Sequence, residues 1–232
     1  MIVAVSGGKG GVGKSTVSVN LGRELDAVVV DADLATADLP RGIGPDLHDV
    51  LANRADPLEA VESIGPVRFL PCGRTLAGAR AADLDRFPRV VERLEREAGR
   101  VVIDCPAGLA RDVGVQLETA DVAVLVTVPS EAAIVDALRT RQVALDLETP
   151  IASIVLNRAT VDETDVLANR VERTFGAPTA VIEELPTVDD AMERGRPVRD
   201  VHPECPAIDA FDAVAESVDR YATRLADGPT VL

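Results

Sequence analysis

The fold of this chain is decided by the stretch MIVAVSGGKGGVGKSTVSVNLGREL, residues 1–25. The apolar run Ile2–Val5 predicts a buried strand, and the spacing of Val17 and Leu21 predicts a helix that begins near Lys14. Between them lies a glycine-rich turn that matches the pattern G-x-x-x-x-G-K-[ST]. Glycines let the backbone turn its N–H groups towards a phosphate chain, and the helix N-terminus adds its dipole. The stretch therefore predicts a phosphate-binding loop between a strand and a helix.

The side chains of this loop indicate a nucleotide with Mg²⁺. Lys14 is placed to reach the β- and γ-phosphates, and the Ser15 hydroxyl is placed to bind Mg²⁺. Lysine and arginine together number 24, yet Lys9 and Lys14 are the only lysines, so lysine stands only where a compact ammonium suits a phosphate. The residues expected to hold the nucleotide here are Gly8, Lys9, Gly10, Gly11, Val12, Gly13, Lys14, Ser15 and Thr16, which we call the P-loop.

The run KGGVGKST, residues 9–16, resembles the deviant Walker A motif of the MinD/ParA family of P-loop ATPases, whose additional signature lysine is here Lys9. The similarity extends to about residue 200. It implies an α/β, three-layer P-loop NTPase fold, with a mostly parallel, twisted central sheet covered by helices on both faces, and one domain over residues 1–232. It also implies an ATP-dependent homodimer in which Lys9 reaches the phosphates of the partner subunit, since Lys14 already serves its own site.

Two further apolar runs end in carboxylates, the first in Asp31-Ala32-Asp33 and the second in Asp104. Carboxylates at the carboxyl ends of parallel strands face the ligand. The resemblance assigns Asp33 to switch I, where it positions the attacking water or a Mg²⁺-bound water. It assigns Asp104 to the Walker B position, where it holds the Mg²⁺ hydration shell opposite Ser15. The run Asp104–Gly108 also resembles the family's switch II, where a glycine lets the loop respond to the γ-phosphate. The expected catalytic residues are Lys9, Lys14, Asp33 and Asp104, and the expected metal-site residues are Ser15, Asp33 and Asp104.

A base pocket is expected from two later stretches. The pair Asn157-Arg158 follows an apolar run, and an amide both donates and accepts, which suits adenine. The family resemblance places this Asn on the adenine edge. Residues 182–198 resemble the family pattern I-P-x-D-x-x-V-x-x-A-x-x-x-G-x-P-V, but Glu183 and Leu185 replace its usual proline and aspartate. We expect Asn157, Arg158 and Glu183 to contact the base, and, because no N-K-x-D motif follows Asn157, we predict ATP and not GTP.

The remaining pattern alternates strands with helices, which predicts a mostly parallel sheet. Within the Pro- and Gly-punctuated residues 34–66, short helical patches are expected at 47–51 and 58–64. Further strands are expected at 67–71, 122–128, 151–156 and 179–182, and helices at 83–98, after an N-cap at Ser130, and at 206–225. The last of these is amphipathic and is expected to dock on the sheet.

Composition bounds the class of protein. The chain has 232 residues with a net charge of −15, which disfavours a nucleic-acid footprint over the whole surface and is typical of proteins from salt-loving organisms. It has no run of 18 apolar residues, and its first strand leaves no room for a signal peptide, so a cytoplasmic location is expected. The three cysteines are widely spaced without a C-x-x-C pair, which argues against a metal site or a disulfide framework.

The resemblance favours a MinD-like ATPase that acts as a dimerisation switch in division-site placement or cargo positioning, with an unknown activating protein or cargo. No stable membrane anchor is expected, because residues 207–225 carry four acidic side chains against two basic ones. Three alternatives stay open. They are a ParA-like partitioning ATPase that binds DNA through a local arginine patch, a metal-cluster carrier of the same superfamily, and a non-hydrolysing module that senses nucleotide. The patch would consist of Arg158, Arg170, Arg173, Arg194, Arg196 and Arg199.

Overall fold

The computed structural model of the protein describes residues 1–34, 39, 43–160 and 164–226. Within them, the strands are β1 (Ile2–Ser6), β2 (Val28–Asp31), β3 (Glu62–Ile64), β4 (Val67–Leu70), β5 (Val101–Asp104), β6 (Val122–Thr127), β7 (Ile151–Ala159) and β8 (Thr179–Glu183). They form one sheet in the order β3-β4-β2-β5-β1-β6-β7-β8. Every neighbouring pair is parallel except β3 and β4, which are antiparallel. The mostly parallel sheet predicted from the sequence is confirmed.

Helices lie on both faces of this sheet. They are α1 (Lys14–Glu24), α2 (Leu47–Leu51), α3 (Leu76–Ala81), α4 (Phe87–Ala98), α5 (Arg111–Thr119), α6 (Glu131–Asp146), α7 (Thr164–Phe175), α8 (Pro186–Glu193), α9 (Val198–Val201) and α10 (Ala207–Ala226), with a 3₁₀ turn at Leu84–Arg86. One apolar core joins the sheet to α1 and α10, and a second joins it to α4, α5, α6 and α7. The predicted three-layer α/β architecture is therefore confirmed.

The strand β1 shows why both layers are needed. Its alternate residues Val3 and Val5 belong to the core under α1, whereas Ile2 and Ala4 belong to the core on the opposite face. All four side chains are buried, because successive side chains of a strand point to opposite faces and helices cover both. The central strands therefore read as continuous apolar runs, and polar residues enter only where the strands end, at the carboxyl edge of the sheet.

One predicted element is wrong. The helical patch expected at 58–64 is not a helix: residues 62–64 form β3, which pairs antiparallel with β4 across the two-residue turn Gly65-Pro66. Gly65 takes a φ of +62°, a left-handed conformation that glycine adopts without a Cβ clash. The turn signal and the neighbouring strand override the local helical spacing. The patch at 47–51 is confirmed as α2, and the part of the predicted loop at 35–38 and 40–42 lies outside the described residues.

The helix α10 docks on the sheet as predicted. Its buried side chains Ile208, Phe211, Val214 and Val218 join the same core as α1, and the helix packs against α1, β7 and β8. Leu225, which the spacing also assigned to this face, is 58% exposed. None of the helices in the described part of the chain has the length and apolar character required to cross a bilayer.

Candidate functional site

The P-loop joins β1 to α1 at the carboxyl edge of the sheet, and its geometry requires glycine at three positions, Gly8, Gly11 and Gly13. Gly11 and Gly13 have φ values of +76° and +97°. A Cβ on Gly13 would lie 2.1 Å from the Asn157 Nδ2 atom, and one on Gly8 would lie 2.4 Å from the Asp136 carbonyl oxygen. The helix α1 begins after Gly13 without a side-chain cap, so the backbone N–H groups of its first turn face the loop. These are the features of a loop that holds a phosphate.

The two lysines of the loop occupy different environments. Lys14 is only 8% exposed, and its Nζ lies 3.5 Å from the Lys9 carbonyl oxygen, so its stem folds back over the loop. Across the residues with described positions, no carboxylate oxygen lies within 4.0 Å of the Lys14 ammonium. Lys9, in contrast, is exposed. A buried cation without a carboxylate partner is suited to an anionic ligand.

Two carboxylates meet beside the loop. Asp31 and Asp104 are the last residues of β2 and β5, and they are direct partners in the parallel pairing of these strands. Both are buried, and burial together with the neighbouring Asp104 raises the pKa of Asp31 from 3.8 to about 7. The Asp104 Oδ1 atom accepts a hydrogen bond of 2.9 Å from the Ser18 hydroxyl of α1. Asp104 thus lies one strand, and Asp31 two strands, away from β1, which leads into the P-loop.

Asp31 also organises the start of switch I, which we define as residues 31–34. Its two carboxylate oxygens accept backbone N–H groups, Oδ1 from Asp33 at 3.3 Å and Oδ2 from Leu39 at 3.2 Å. Asp33 itself is partly exposed directly after this buried carboxylate. The predicted residues Asp33 and Asp104 are therefore brought to neighbouring strand ends, and Ser15 lies in the first turn of α1, partly exposed.

The predicted base-contacting residues converge on one small pocket. It is lined by Thr16, Asn157, Arg158, Glu183, Glu184, Leu185, Val188 and Asp189. The strand β7 runs to Ala159, beyond the predicted end at residue 156, because Asn157 and Ala159 still pair with β8. The two positions that depart from the family pattern, Glu183 and Leu185, both line this pocket. Its polar rim therefore differs from the one that the family pattern describes.

Asn157 and Arg158 also support the P-loop itself. The buried Asn157 side chain donates from Nδ2 to the Val12 carbonyl oxygen at 2.9 Å. Arg158, with a left-handed φ of +55°, donates from its guanidinium to the Gly11 carbonyl oxygen at 3.1 Å. One of the two amide N–H groups of Asn157 is thus used by the loop, a role that the sequence pattern did not indicate. Two residues near the end of β7 therefore hold Gly11 and Val12 of the P-loop in place.

The residues present fit a magnesium nucleotide. A glycine cradle, uncapped N–H groups and the Lys14 ammonium suit phosphate oxygens. The adjacent carboxylates of Asp31 and Asp104 repel each other, and a divalent cation beside them would relieve that repulsion. Mg²⁺ prefers oxygen ligands and is usually held by one or two carboxylates together with phosphates and waters. Groups of three or more His, Cys, Asp or Glu side chains placed to hold a metal ion do not occur in the described ranges.

Sequence reasoning missed two residues of the site. It named Asp31 only as part of the D-x-D run, although this residue pairs with Asp104 and holds switch I. It also passed over Ser18, which lies one helical turn after Lys14 and therefore on the same side of α1. A buried serine at that spacing was an available signal. All three cysteines are free and buried, and burial raises the pKa of the Cys72 and Cys105 thiols.

The fold and the loop define a class, the P-loop nucleotide-binding α/β proteins. Comparison with known proteins narrows this class. Residues 3–198 match the family described as the CobQ/CobB/MinD/ParA nucleotide binding domain. The chain belongs to this family, and the resemblance to MinD/ParA proteins expected from residues 9–16 is confirmed.

Three relatives illustrate the range of the family. An uncharacterised ATP-binding protein of Methanocaldococcus jannaschii is 32% identical over 232 residues, which cover 94% of this chain and 88% of the relative. The structure of the septum site-determining protein MinD of Pyrococcus horikoshii, complexed with Mg-ADP, is 30% identical with a TM-score of 0.87, over 95% of this chain and 96% of that one. The iron-sulfur cluster carrier protein of Deinococcus radiodurans is 29% identical over 242 residues, 94% of this chain and 68% of the carrier.

Proposed function

We propose that this chain, as one domain over residues 1–232, is a MinD-like ATPase that binds Mg·ATP, dimerises and hydrolyses ATP slowly as a switch in the spatial organisation of the cell. The observation that carries the proposal is the P-loop in which Lys14 is buried and Lys9 is exposed, beside the carboxylates of Asp31 and Asp104. The Pyrococcus horikoshii relative complexed with Mg-ADP supports the ligand. Its name supports a task such as division-site placement, with cargo positioning as the related choice.

The residues divide the work of phosphoryl transfer to water. Lys14 and the N–H groups of the P-loop bind the phosphates of ATP, and the Ser15 hydroxyl with the Asp104 carboxylate holds the metal site. Asp33 orients the attacking water from the end of β2, where the bonds from its N–H and that of Leu39 to Asp31 fix the turn. Mg²⁺, when bound, would neutralise negative charge on the phosphates. Positioning and electrostatics account for such catalysis, because phosphoryl transfer to water leaves little covalent chemistry for a protein to do.

The base is proposed to be adenine. The pocket beside Thr16 is lined by Asn157, Arg158 and Glu183. The bond from Asn157 to Val12 uses one amide N–H group and leaves the amide oxygen and the second N–H group to contact a base. An amide that donates and accepts matches the N6 and N1 or N7 atoms of adenine. GTP should therefore compete poorly against ATP in any binding assay, and equal competition by the two nucleotides would contradict this part of the proposal.

Dimerisation is proposed to depend on Lys9. Lys9 is exposed, whereas the buried Lys14 is proposed to serve the phosphates of its own subunit. A cation delivered by the partner would neutralise transition-state charge and so couple hydrolysis to assembly. Light scattering with a slowly hydrolysed ATP analogue and a parallel ATPase assay test this. Lys9→Ala should still bind ATP but lose the dimer and turnover, and Lys14→Ala should lose binding.

The outcomes separate the alternatives. A Lys9→Ala variant that dimerises and turns over like the parent would reject the role of Lys9 across the interface. Nucleotide binding without measurable turnover in the parent would favour the non-hydrolysing sensor. Metal analysis of the purified protein tests the alternative that the chain is a metal-cluster carrier. The similarity to the carrier of Deinococcus radiodurans supports this alternative.

Two arginines of the patch on which the DNA-binding alternative depends are paired with carboxylates of the chain. Arg194 forms an ion pair of 2.8 Å with Asp190, and Arg199 lies 2.8 Å from Glu24 and 2.5 Å from Asp212. These guanidinium groups are therefore neutralised within the chain. A membrane anchor in α10 is likewise disfavoured, because its apolar face packs against α1 and the sheet. Salt-dependent retention on DNA and co-sedimentation with anionic vesicles are the tests of the two alternatives.

A further inference from the structure

Ala32, between the two aspartates of switch I, is hydrogen-bonded through both its N–H group and its carbonyl oxygen. The Ala32 N–H donates to the Asp104 carbonyl oxygen at 3.1 Å, which continues the pairing of β2 with β5. The Ala32 carbonyl oxygen, which lies beyond the last paired residue of β2, accepts from the Gln116 Nε2 atom at 2.9 Å. Because Ala32 is fully buried, its carbonyl oxygen depends on a protein partner for a hydrogen bond.

Gln116 is an unusual residue for its position. It lies on α5 with an exposure of 0%, between the buried apolar residues Val113 and Leu117. The donation to a carbonyl oxygen fixes the orientation of its amide, so that Oε1 points the other way. Within the described part of the chain, this buried Oε1 atom has no hydrogen-bond partner. An unpaired buried acceptor is costly, so folding alone does not favour glutamine over an apolar side chain of the same shape.

The helix α5 connects this bond to the second switch. It begins at Arg111, directly after the switch II loop at residues 105–110, which follows Asp104. Gln116 stands five residues into the helix, about 7.5 Å along its axis. A rigid helix therefore joins the end of switch II to the backbone of switch I. Leu34, the last residue of switch I, is held differently. The Nε2 atom of His48, on α2, lies 3.1 Å from the Leu34 carbonyl oxygen, and α2 does not follow the switch II loop along the chain.

We propose that Gln116 is a positioning residue: its bond to the Ala32 carbonyl oxygen couples the switch I segment, residues 31–34, to the switch II loop, residues 105–110, through α5. This inference deepens the proposed ATPase function and rests on it. The coupling keeps Asp33 aligned with the Asp104 end of β5 whenever the switch II loop moves with the state of the nucleotide. Gln116 does not touch the nucleotide site and acts only through the backbone of residue 32.

Hydrogen exchange measured by mass spectrometry on Gln116→Met tests the coupling, since methionine keeps the volume but removes the donor. Without nucleotide, the peptide that covers residues 28–34 should exchange about tenfold faster than in the parent, while that covering residues 2–6 is unchanged. With a slowly hydrolysed ATP analogue, the parent should gain protection in both switches, and Gln116→Met should gain it in residues 105–110 only. Turnover should fall about tenfold with ADP affinity within about twofold of the parent.

Two matched variants isolate the bond. Leu117→Met changes the next buried residue of α5 without touching switch I, and Gln142→Met removes the other glutamine of the chain, on the exposed side of α6. Both should behave like the parent. Should Gln116→Met fail to unfold cooperatively, Gln116→Asn, whose amide is one methylene too short to reach Ala32, is measured against the same criteria.

Unchanged exchange in residues 28–34 of the Gln116 variant would overturn the inference. So would an equal increase in Leu117→Met, because the effect would then come from repacking α5. Loss of ADP affinity together with turnover would also overturn it, since Gln116 would then only support the fold. If the parent neither binds nor hydrolyses ATP, the proposed function fails, and the exchange of the nucleotide-free protein still decides whether Gln116 holds switch I.

Discussion

At the scale of single residues, the site depends on backbone conformations that only glycine adopts easily. Gly13 has a φ of +97°, and a Cβ added there would lie 2.1 Å from the Asn157 Nδ2 atom. Gly99, at the end of α4, has a φ of +82°, but a Cβ added there would meet open space. The two positions share the conformational strain of a left-handed residue and differ in the contact. Substituting both by alanine therefore separates two losses in the free energy of unfolding, one from the positive φ and one from crowding the P-loop.

Gly99→Ala should lower the free energy of unfolding by about 1 kcal/mol, because alanine resists a positive φ. Gly13→Ala should lower it by about 2–4 kcal/mol, because the added Cβ also displaces Asn157 from its bond to Val12. Urea denaturation of both variants measures the difference. Equal destabilisation would show that the contact between Gly13 and Asn157 carries no energy.

The buried Asp31 gives the nucleotide-free protein a pH dependence. Its pKa is raised from 3.8 to about 7, so between these values the folded state holds a proton that the unfolded state has lost. The free energy of unfolding should therefore fall as pH rises through this window, by at most about 1.4 kcal/mol per pH unit. Asp31→Asn should lack this part of the dependence. Thermal unfolding from pH 5 to pH 7.5 measures it, and parallel curves for parent and variant would contradict the assignment.

At the scale of elements, sequence reasoning succeeded where a pattern is local. The strand, loop and helix of residues 1–24 are contiguous, so the P-loop is recognised from its spacing alone. The N-cap of α6 was equally local: the Ser130 hydroxyl oxygen accepts the Ala133 N–H at 3.3 Å. The strand β3 was missed because its pairing with β4, and not its own composition, makes it a strand.

The helix α10 offers a test of docking. Phe211 is buried against the core that includes α1, while Leu225, on the same predicted face, is exposed. Phe211→Ala should lower the free energy of unfolding by about 3–5 kcal/mol, and Leu225→Ala by less than about 0.5 kcal/mol. Urea denaturation measures both values. A small effect at Phe211 would mean that α10 contributes little to the folded state.

At the scale of the whole molecule, the site is assembled from distant parts of the chain. Asn157 reaches Val12 across 145 positions, and Gln116 reaches Ala32 across 84. Neither bond has a sequence signature, because each depends on strand order, with β1 between β5 and β6 and β2 beside β5. The chemistry of the P-loop was therefore predictable, whereas the supporting bonds, from Asn157 to the P-loop and from Gln116 to switch I, were not.

The net charge of −15 predicts a stability that depends on salt. Repulsion among surface carboxylates opposes the compact state, and salt screens it over a Debye length of about 10 Å at 0.1 M and about 3 Å at 1 M. Raising KCl from about 0.1 M to about 2 M should raise the midpoint of thermal unfolding by about 5 °C or more, whereas an uncharged osmolyte chosen to match water activity should do less. A midpoint independent of KCl would remove the electrostatic account of this composition.

The central claim is that the P-loop, with Lys14 and the carboxylates at the ends of β2 and β5, forms one Mg·ATP site per chain. Calorimetric titration of a slowly hydrolysed ATP analogue into parent, Lys14→Ala and Lys9→Ala, with and without Mg²⁺, tests it directly. The account predicts saturable binding by the parent at one site per chain, weakened by EDTA, retained in Lys9→Ala and reduced about a hundredfold or more in Lys14→Ala. Undiminished binding by Lys14→Ala would contradict it.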